Sequence, residues 1–171
     1  MASNSIEKNM KAVIDLDSDE ETNESVVTDV IVILDSSGSM ANMGDEPVQA
    51  MNIFMEEQKS TADDDNATFT LVTFSNKRKV VIDHLPLSDV VPLSMDRYCP
   101  GGGTALNDAV CSTVKEELAG DKPDHKVVVI LTDGHENSSQ EFKTSELRET
   151  VADAEKNHDY KFVFLGANIN A

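Results

Sequence analysis

The stretch Thr28 to Met40, T-D-V-I-V-I-L-D-S-S-G-S-M, constrains the fold more than any other part of the chain. Val30 to Leu34 is a continuous apolar run rich in β-branched residues, closed by an Asp-Ser-Ser-Gly turn signal. Such a run suits a strand buried on both faces, and a strand covered in that way belongs at the centre of a parallel sheet. Asp35, Ser37 and Ser39 then fall at alternate positions of a tight, glycine-containing loop. Their three oxygens can converge on one point above the strand tip, which is a place to hold a hard cation. The bland alternative is that they only cap the helix that follows.

The rest of the chain alternates helical and extended patterns. Val48, Met51 and Met55 recur at helical spacing between Asp45 and Lys59, with Pro47 near the start where a missing N–H costs little. A strand follows at Ala67 to Ser75, alternating Phe69, Leu71 and Phe74 with threonines. The basic turn Asn76 to Lys79 leads into Val80 to Leu85, a hairpin partner on the sheet edge. Pro86 to Asp96 has no clear period and reads as irregular with a short helical turn. Gly101-Gly102-Gly103-Thr104 opens a helix from Ala105 to about Leu118. V-V-V-I-L-T-D-G is a second fully apolar strand ending in Asp133-Gly134, matching Val30 to Asp35 in character, so the two are expected side by side. Ser145 to Asn157 is helical, and Tyr160 to Gly166 reads as another buried strand. Strands alternating with helices predict an α/β fold: a doubly wound, mostly parallel sheet with one antiparallel edge strand and helices on both faces.

The set Asp35-x-Ser37-x-Ser39, Thr104 behind glycines, and Asp133 at a strand end resembles the metal-ion-dependent adhesion site of the von Willebrand factor type A family. The resemblance runs from about Thr28 to Ala171 and implies a Rossmann-like domain at 28–171 that is short at its C-terminal end. It further implies a bound Mg²⁺ or Mn²⁺. Ser37 and Ser39 are assigned as direct hydroxyl ligands, Thr104 as a direct or water-mediated one, and Asp35 and Asp133 as acceptors for metal-bound water. Strand ends at the point where an open sheet reverses its winding are where ligands bind, which fits independently. An ion held largely by neutral alcohols lacks one strong ligand, and a Glu or Asp of a partner protein can supply it. The implied function is a non-catalytic, divalent-metal-dependent protein-binding module.

Enzymatic readings fit less well. A phosphatase of the aspartyl-phosphate kind wants an acid where Ser37 stands, and Ser36-Ser37-Gly38-Ser39 lacks the flanking glycines of a nucleophile elbow. His135 could reach the site mouth as a base, but a solvated loop histidine is the plainer assignment. Gly101 to Thr104 has no lysine at Walker spacing. Asp63-Asp64-Asp65 lacks the Gly and Glu of an EF-hand loop.

Net charge is −18, from 14 Lys+Arg against 32 Asp+Glu in 171 residues, which disfavours nucleic acid and anionic membrane surfaces as partners. No stretch approaches the roughly 20 apolar residues of a membrane span, and the N-terminus lacks a basic region before an apolar one. Cys99 and Cys111 are too few for a disulfide scaffold and are read as free, small buried thiols in a reducing compartment. The expected location is therefore intracellular, in cytoplasm or nucleus. Residues 1–27 read as a disordered acidic tail. Within it V-I-D-L-D-S-D-E-E resembles a SUMO-interacting motif, with Val13, Ile14 and Leu16 as the strand-adding core and Ser18 as a phosphorylation site. A tethering adaptor, with the tail on SUMO or another partner and the metal face on a second protein, is the competing function. The last strand is expected to leave an open edge for self-association or a partner strand.

Overall fold

The apolar runs form five strands: β1 (Thr28–Asp35), β2 (Ala67–Phe74), β3 (Arg78–Pro86), β4 (His125–Thr132) and β5 (Tyr160–Gly166). This computed structural model describes residues 27–61, 67–120 and 125–166. The readings of the tail with its Val13–Leu16 core, of the aspartate loop at 63–65 and of residues 167–171 lie outside the described residues. The strands make one sheet in the order β3-β2-β1-β4-β5. All neighbours pair in parallel except β2 and β3, which form the antiparallel edge.

Among the described residues, three α-helices connect the strands: α1 (Glu46–Thr61), α2 (Leu106–Ala119) and α3 (Thr144–Asn157). The period-2 geometry of β1 sends Val30, Val32 and Leu34 to one face and Ile31 and Ile33 to the other. The first face packs with Met51, Phe54 and Met55 of α1. The second packs with Val110 and Val114 of α2 and with Leu147 and Ala154 of α3. Helices therefore cover both faces, and β1 is buried from Asp29 to Asp35, as its composition predicts. Truncating one of these side chains, such as Ile33, to Ala costs about 2–5 kcal/mol.

The structure departs from the sequence reading in three places. In β2, Phe69 and Leu71 enter one core while Val72 and Phe74 enter the other, so the apolar side chains do not share one face against threonines; Thr70 and Thr73 are buried with them. β5 is an edge strand and only part-buried, with Phe164 50% exposed. Cys99 is exposed, whereas Cys111 is buried as expected. The segment after β3 is irregular with short helical turns, as the sequence reading has it: two 3-10 turns, Leu87–Asp89 and Met95–Arg97. They let Leu87, Val90, Leu93 and Tyr98 close the first core.

The winding reverses at β1. The chain passes from β1 through α1 to β2 on one flank, and reaches β4 on the other flank only after α2. The ends of β1 and β4 thus flank the crevice where a doubly wound sheet places its ligand.

Candidate functional site

At the tip of β1 the Ser36 amide still donates to the Phe74 carbonyl at 2.7 Å, extending the ladder with β2 by one bond. One residue later the Ser37 amide bends back to Asp35 Oδ1 at 2.7 Å, a local side-chain bond of the kind Asp favours in turns. Gly38–Met43 follows as a 3-10 segment. Ser37 is its N-cap residue, yet the side chain makes no capping bond. Its hydroxyl instead lies 3.2 Å from Ser39 Oγ. Ser39 Oγ donates to Asp133 Oδ1 at 2.8 Å, joining the loop after β1 to the loop after β4. The capping alternative therefore does not describe these serines.

Asp133 directly follows β4, and its neighbour Thr132 donates its hydroxyl to Asp35 Oδ2 at 2.6 Å. Thr104 arrives on the glycine loop, which is stitched to the β1 loop twice: Gly101 N to Ser36 O at 2.8 Å and Gly38 N to Gly102 O at 3.0 Å. Gly102 has φ +79°, where side chains are strained, and a Cβ there would collide with Asn76 Oδ1. Thr104 itself is buried. Asn137 grips its backbone from both sides, accepting from Thr104 N at 2.9 Å and donating to Thr104 O at 3.0 Å.

Gly134 shows how closely these pieces converge. A Cβ built on it would lie 3.3 Å from Thr104 Oγ1 and 3.9 Å from both Asp35 Oδ2 and Ser39 Oγ. Oxygens from three separate segments thus surround one small region, and Ser37 and Asp133 join it through Ser39. The five residues read from the sequence lie together. Two carboxylates and three hydroxyls form an all-oxygen set, the donor chemistry that suits Mg²⁺, Ca²⁺ or Mn²⁺.

Several supporting residues were not read from the sequence. Glu136 accepts from the amides of Asn107 (2.8 Å), Ser138 (3.0 Å) and Ser139 (2.6 Å) and from Ser139 Oγ (2.7 Å). Burial alone would raise its pKa, but these bonds outweigh it and hold the carboxyl below its ordinary value. Asp108 reciprocates from α2, accepting from the amides of Gln140, Glu141 and Phe142. Together they clasp the loop after Asp133 to the start of α2, which fixes Thr104 relative to Asp133. Tyr98 donates to the Asp35 carbonyl at 2.7 Å. Burial, then the negative charges of Asp35 and Asp133, push its hydroxyl pKa up, so it stays a donor. His135 is exposed, in keeping with a solvated loop residue.

A second group of ligand-type side chains, Asp29, His84 and Glu117, has atoms within 4.8 Å of one another. It lies at the opposite end of the sheet. Lys126 Nζ already sits among them, 2.5 Å from Glu117 Oε2 and 3.4 Å from Asp29 Oδ2. The first group is therefore the better candidate for an ion.

Comparison with known proteins agrees with this architecture. Among solved structures, three N-terminal domains of the type V pili tip protein Mfa5 from Porphyromonas gingivalis align with TM-score 0.57 and 17% identity, over 70% of this chain and 22% of that one. The PilB minor pilin from Streptococcus sanguinis gives 0.55 and 19%, over 67% and 31%. Proximal thread matrix protein 1 from the mussel byssus gives 0.53 and 22%, over 81% and 35%. This chain thus spans about a fifth to a third of the length of these proteins, and the likeness is one of fold. No curated protein sequence matches it. The family model for the von Willebrand factor type A domain matches residues 29–170, and the chain belongs to that family.

Proposed function

We propose that this chain is a non-catalytic protein-binding module whose grip on a partner depends on a divalent cation held by Asp35, Ser37, Ser39, Thr104 and Asp133. The observation that carries this reading is the convergence of Thr104 Oγ1, Asp35 Oδ2 and Ser39 Oγ around one point beside Gly134. Ser37 and Ser39 present neutral hydroxyls, and Thr104 is presented by a backbone clamped through Asn137. Asp35 is aimed by the Thr132 hydroxyl and by the Ser37 amide, and Asp133 by the Ser39 hydroxyl. Mg²⁺ or Mn²⁺, when bound, supplies a Lewis-acidic position for an Asp or Glu carboxylate of the partner. The clasp by Glu136 and Asp108 keeps the loops in place before the partner arrives.

The test is a pull-down of partner proteins with Mg²⁺ and with EDTA. Proteins captured only with Mg²⁺, and lost in Asp133→Ala, are the expected result. Equal capture under both conditions would remove the cation from the account. Substrate panels for phosphatase and esterase activity should be silent with and without EDTA, and metal-dependent turnover would favour a hydrolase.

A second reading rests on V-I-D-L-D-S-D-E-E. In it the tail engages SUMO through Val13, Ile14 and Leu16 while the cation face holds another protein. Titrating labelled SUMO with a peptide of residues 8–24 tests it, and no chemical-shift change at millimolar peptide would end it. We also propose an intracellular location, supported by the free thiols of Cys99 and Cys111.

A further inference from the structure

Asp29 is wholly buried at the start of β1, about 20 Å along the strand from Asp35. Lys126 beside it on β4 is 2% exposed. His84, on the edge strand β3, completes the group. Its Nε2 lies 3.0 Å from Asp29 Oδ2 and 2.9 Å from Glu117 Oε2, and Lys126 Nζ touches the same two oxygens. Anions and cations therefore alternate around a closed ring. The other imidazole nitrogen, Nδ1, is 2.5 Å from Asp83 Oδ1.

Both ring nitrogens of His84 thus face carboxylate oxygens. A neutral imidazole has a lone pair on one nitrogen, and here that lone pair would point at an anion. With Asp29, Glu117 and Asp83 ionised, only the doubly protonated ring satisfies both contacts. Burial pushes the Asp29 carboxyl pKa up, but the cations His84 and Lys126 beside it favour its ionised form. The doubly protonated ring also balances the interior charge, since His84 and Lys126 then offset Asp29 and Glu117. His84 adopts φ +46° beside a register irregularity in the β2–β3 pairing. Its amide is held by Thr70 Oγ1 at 3.1 Å. A bulky residue in a strained conformation next to buried charge marks a built feature.

We propose that His84 is a proton-operated latch: as an imidazolium it ties the edge strand β3 to α2 and β1, and loss of its proton releases that edge. The groups facing it are Asp29 from β1, Asp83 from β3, Glu117 from α2 and Lys126 from β4, with the buried Tyr160 hydroxyl of β5 beside them. Burial would push the imidazole pKa down, but Asp83, Asp29 and Glu117 outweigh it and hold it above its ordinary value. A histidine pKa raised by folding gives stability that is complete below the unfolded value of about 6.5 and is lost as pH rises through the folded value. The latch therefore closes in acid and opens in base.

The test is nitrogen-detected NMR of the assigned His84 ring in the full chain, with melting curves from pH 6 to 9 for wild type and His84→Asn. Asn tolerates positive φ, so the variant adds no backbone strain. Expected are two protonated nitrogens at pH 7 and a fall of about 2–4 °C in the wild-type melting midpoint across that range. In His84→Asn that fall should be absent. A ring with one bare nitrogen at pH 7, or the same pH dependence in the variant, would overturn the latch. So would Zn²⁺ shifting His84 resonances at micromolar concentration, which would make the ring a metal site.

Discussion

The two ends of β1 each carry a buried aspartate, and their surroundings differ in kind. Asp29 faces two cations, Lys126 and His84, within 3.4 Å. Among the described residues, the Asp35 side chain accepts from neutral donors, the Ser37 amide and the Thr132 hydroxyl. One end balances its charge from its own side chains. The other gathers Asp35 and Asp133 with hydroxyl oxygens, and in the function proposed above a cation from solution completes that set. The comparison separates an acid that the chain neutralises itself from one it leaves without a cation of its own, and the proposed site is placed at the second.

The contrast can be broken hardest at Lys126. Replacing it by Met leaves Asp29 and Glu117 with half their positive charge, and removing one partner of a buried pair costs about 3–5 kcal/mol. A drop in melting temperature of about 6–20 °C is expected at pH 7 for a domain of this size. Asp35→Asn, made without divalent ions, should leave the melting temperature nearly unchanged or raise it, because it removes a buried charge. If Lys126→Met proves as mild as Asp35→Asn, the ends do not differ as described. Adding Mg²⁺ sharpens the contrast from the other side. Saturation to about a hundred times Kd stabilises wild type by about 2.7 kcal/mol, and should leave Asp35→Asn where it was. Tyr98→Phe removes the donor to the Asp35 carbonyl and should cost about 1–2 kcal/mol by chemical denaturation.

The smallest effect belongs to Glu136. Its carboxyl is held below its ordinary pKa, so its contribution is complete above the unfolded value, about 4.3, and is lost as pH falls through the folded one. Glu136→Gln should therefore flatten the stability profile of the acid limb below pH 4.3 and leave the region above pH 6.5, where His84 acts, unaltered. Melting curves of both variants across the two ranges separate them.

How much of this was legible in the sequence follows from how local each signal is. The runs Val30–Leu34 and Val127–Leu131 declare buried strands because every residue is apolar. Asp35, Ser37, Ser39, Thr104 and Asp133 stand at strand and loop ends, where a pattern in the chain coincides with a place in the fold. Asp29, His84, Glu117 and Lys126 carried no such pattern: they are scattered over four elements with no common spacing, and only strand register brings Asp29 beside Lys126. Glu136 and Asp108 were missed for a related reason, since the bonds that join α2 to the loop after Asp133, from Asn107 N to Glu136 and from Gln140 N to Asp108, run to backbone amides some thirty residues away. The burial of Thr70 and Thr73 was hidden because threonine suits either a wet or a covered strand face. Phe164 misled in the opposite direction, being apolar on an edge.

The central claim is that the cation is held at the end of β1 that carries Asp35. Its most direct measurement is calorimetric titration of Mn²⁺ into wild type, Asp35→Asn and His84→Asn at one pH. The account predicts one site in wild type, the same affinity in His84→Asn, and a loss of at least about a hundredfold in Asp35→Asn. Binding that survives in Asp35→Asn and disappears in His84→Asn would contradict it.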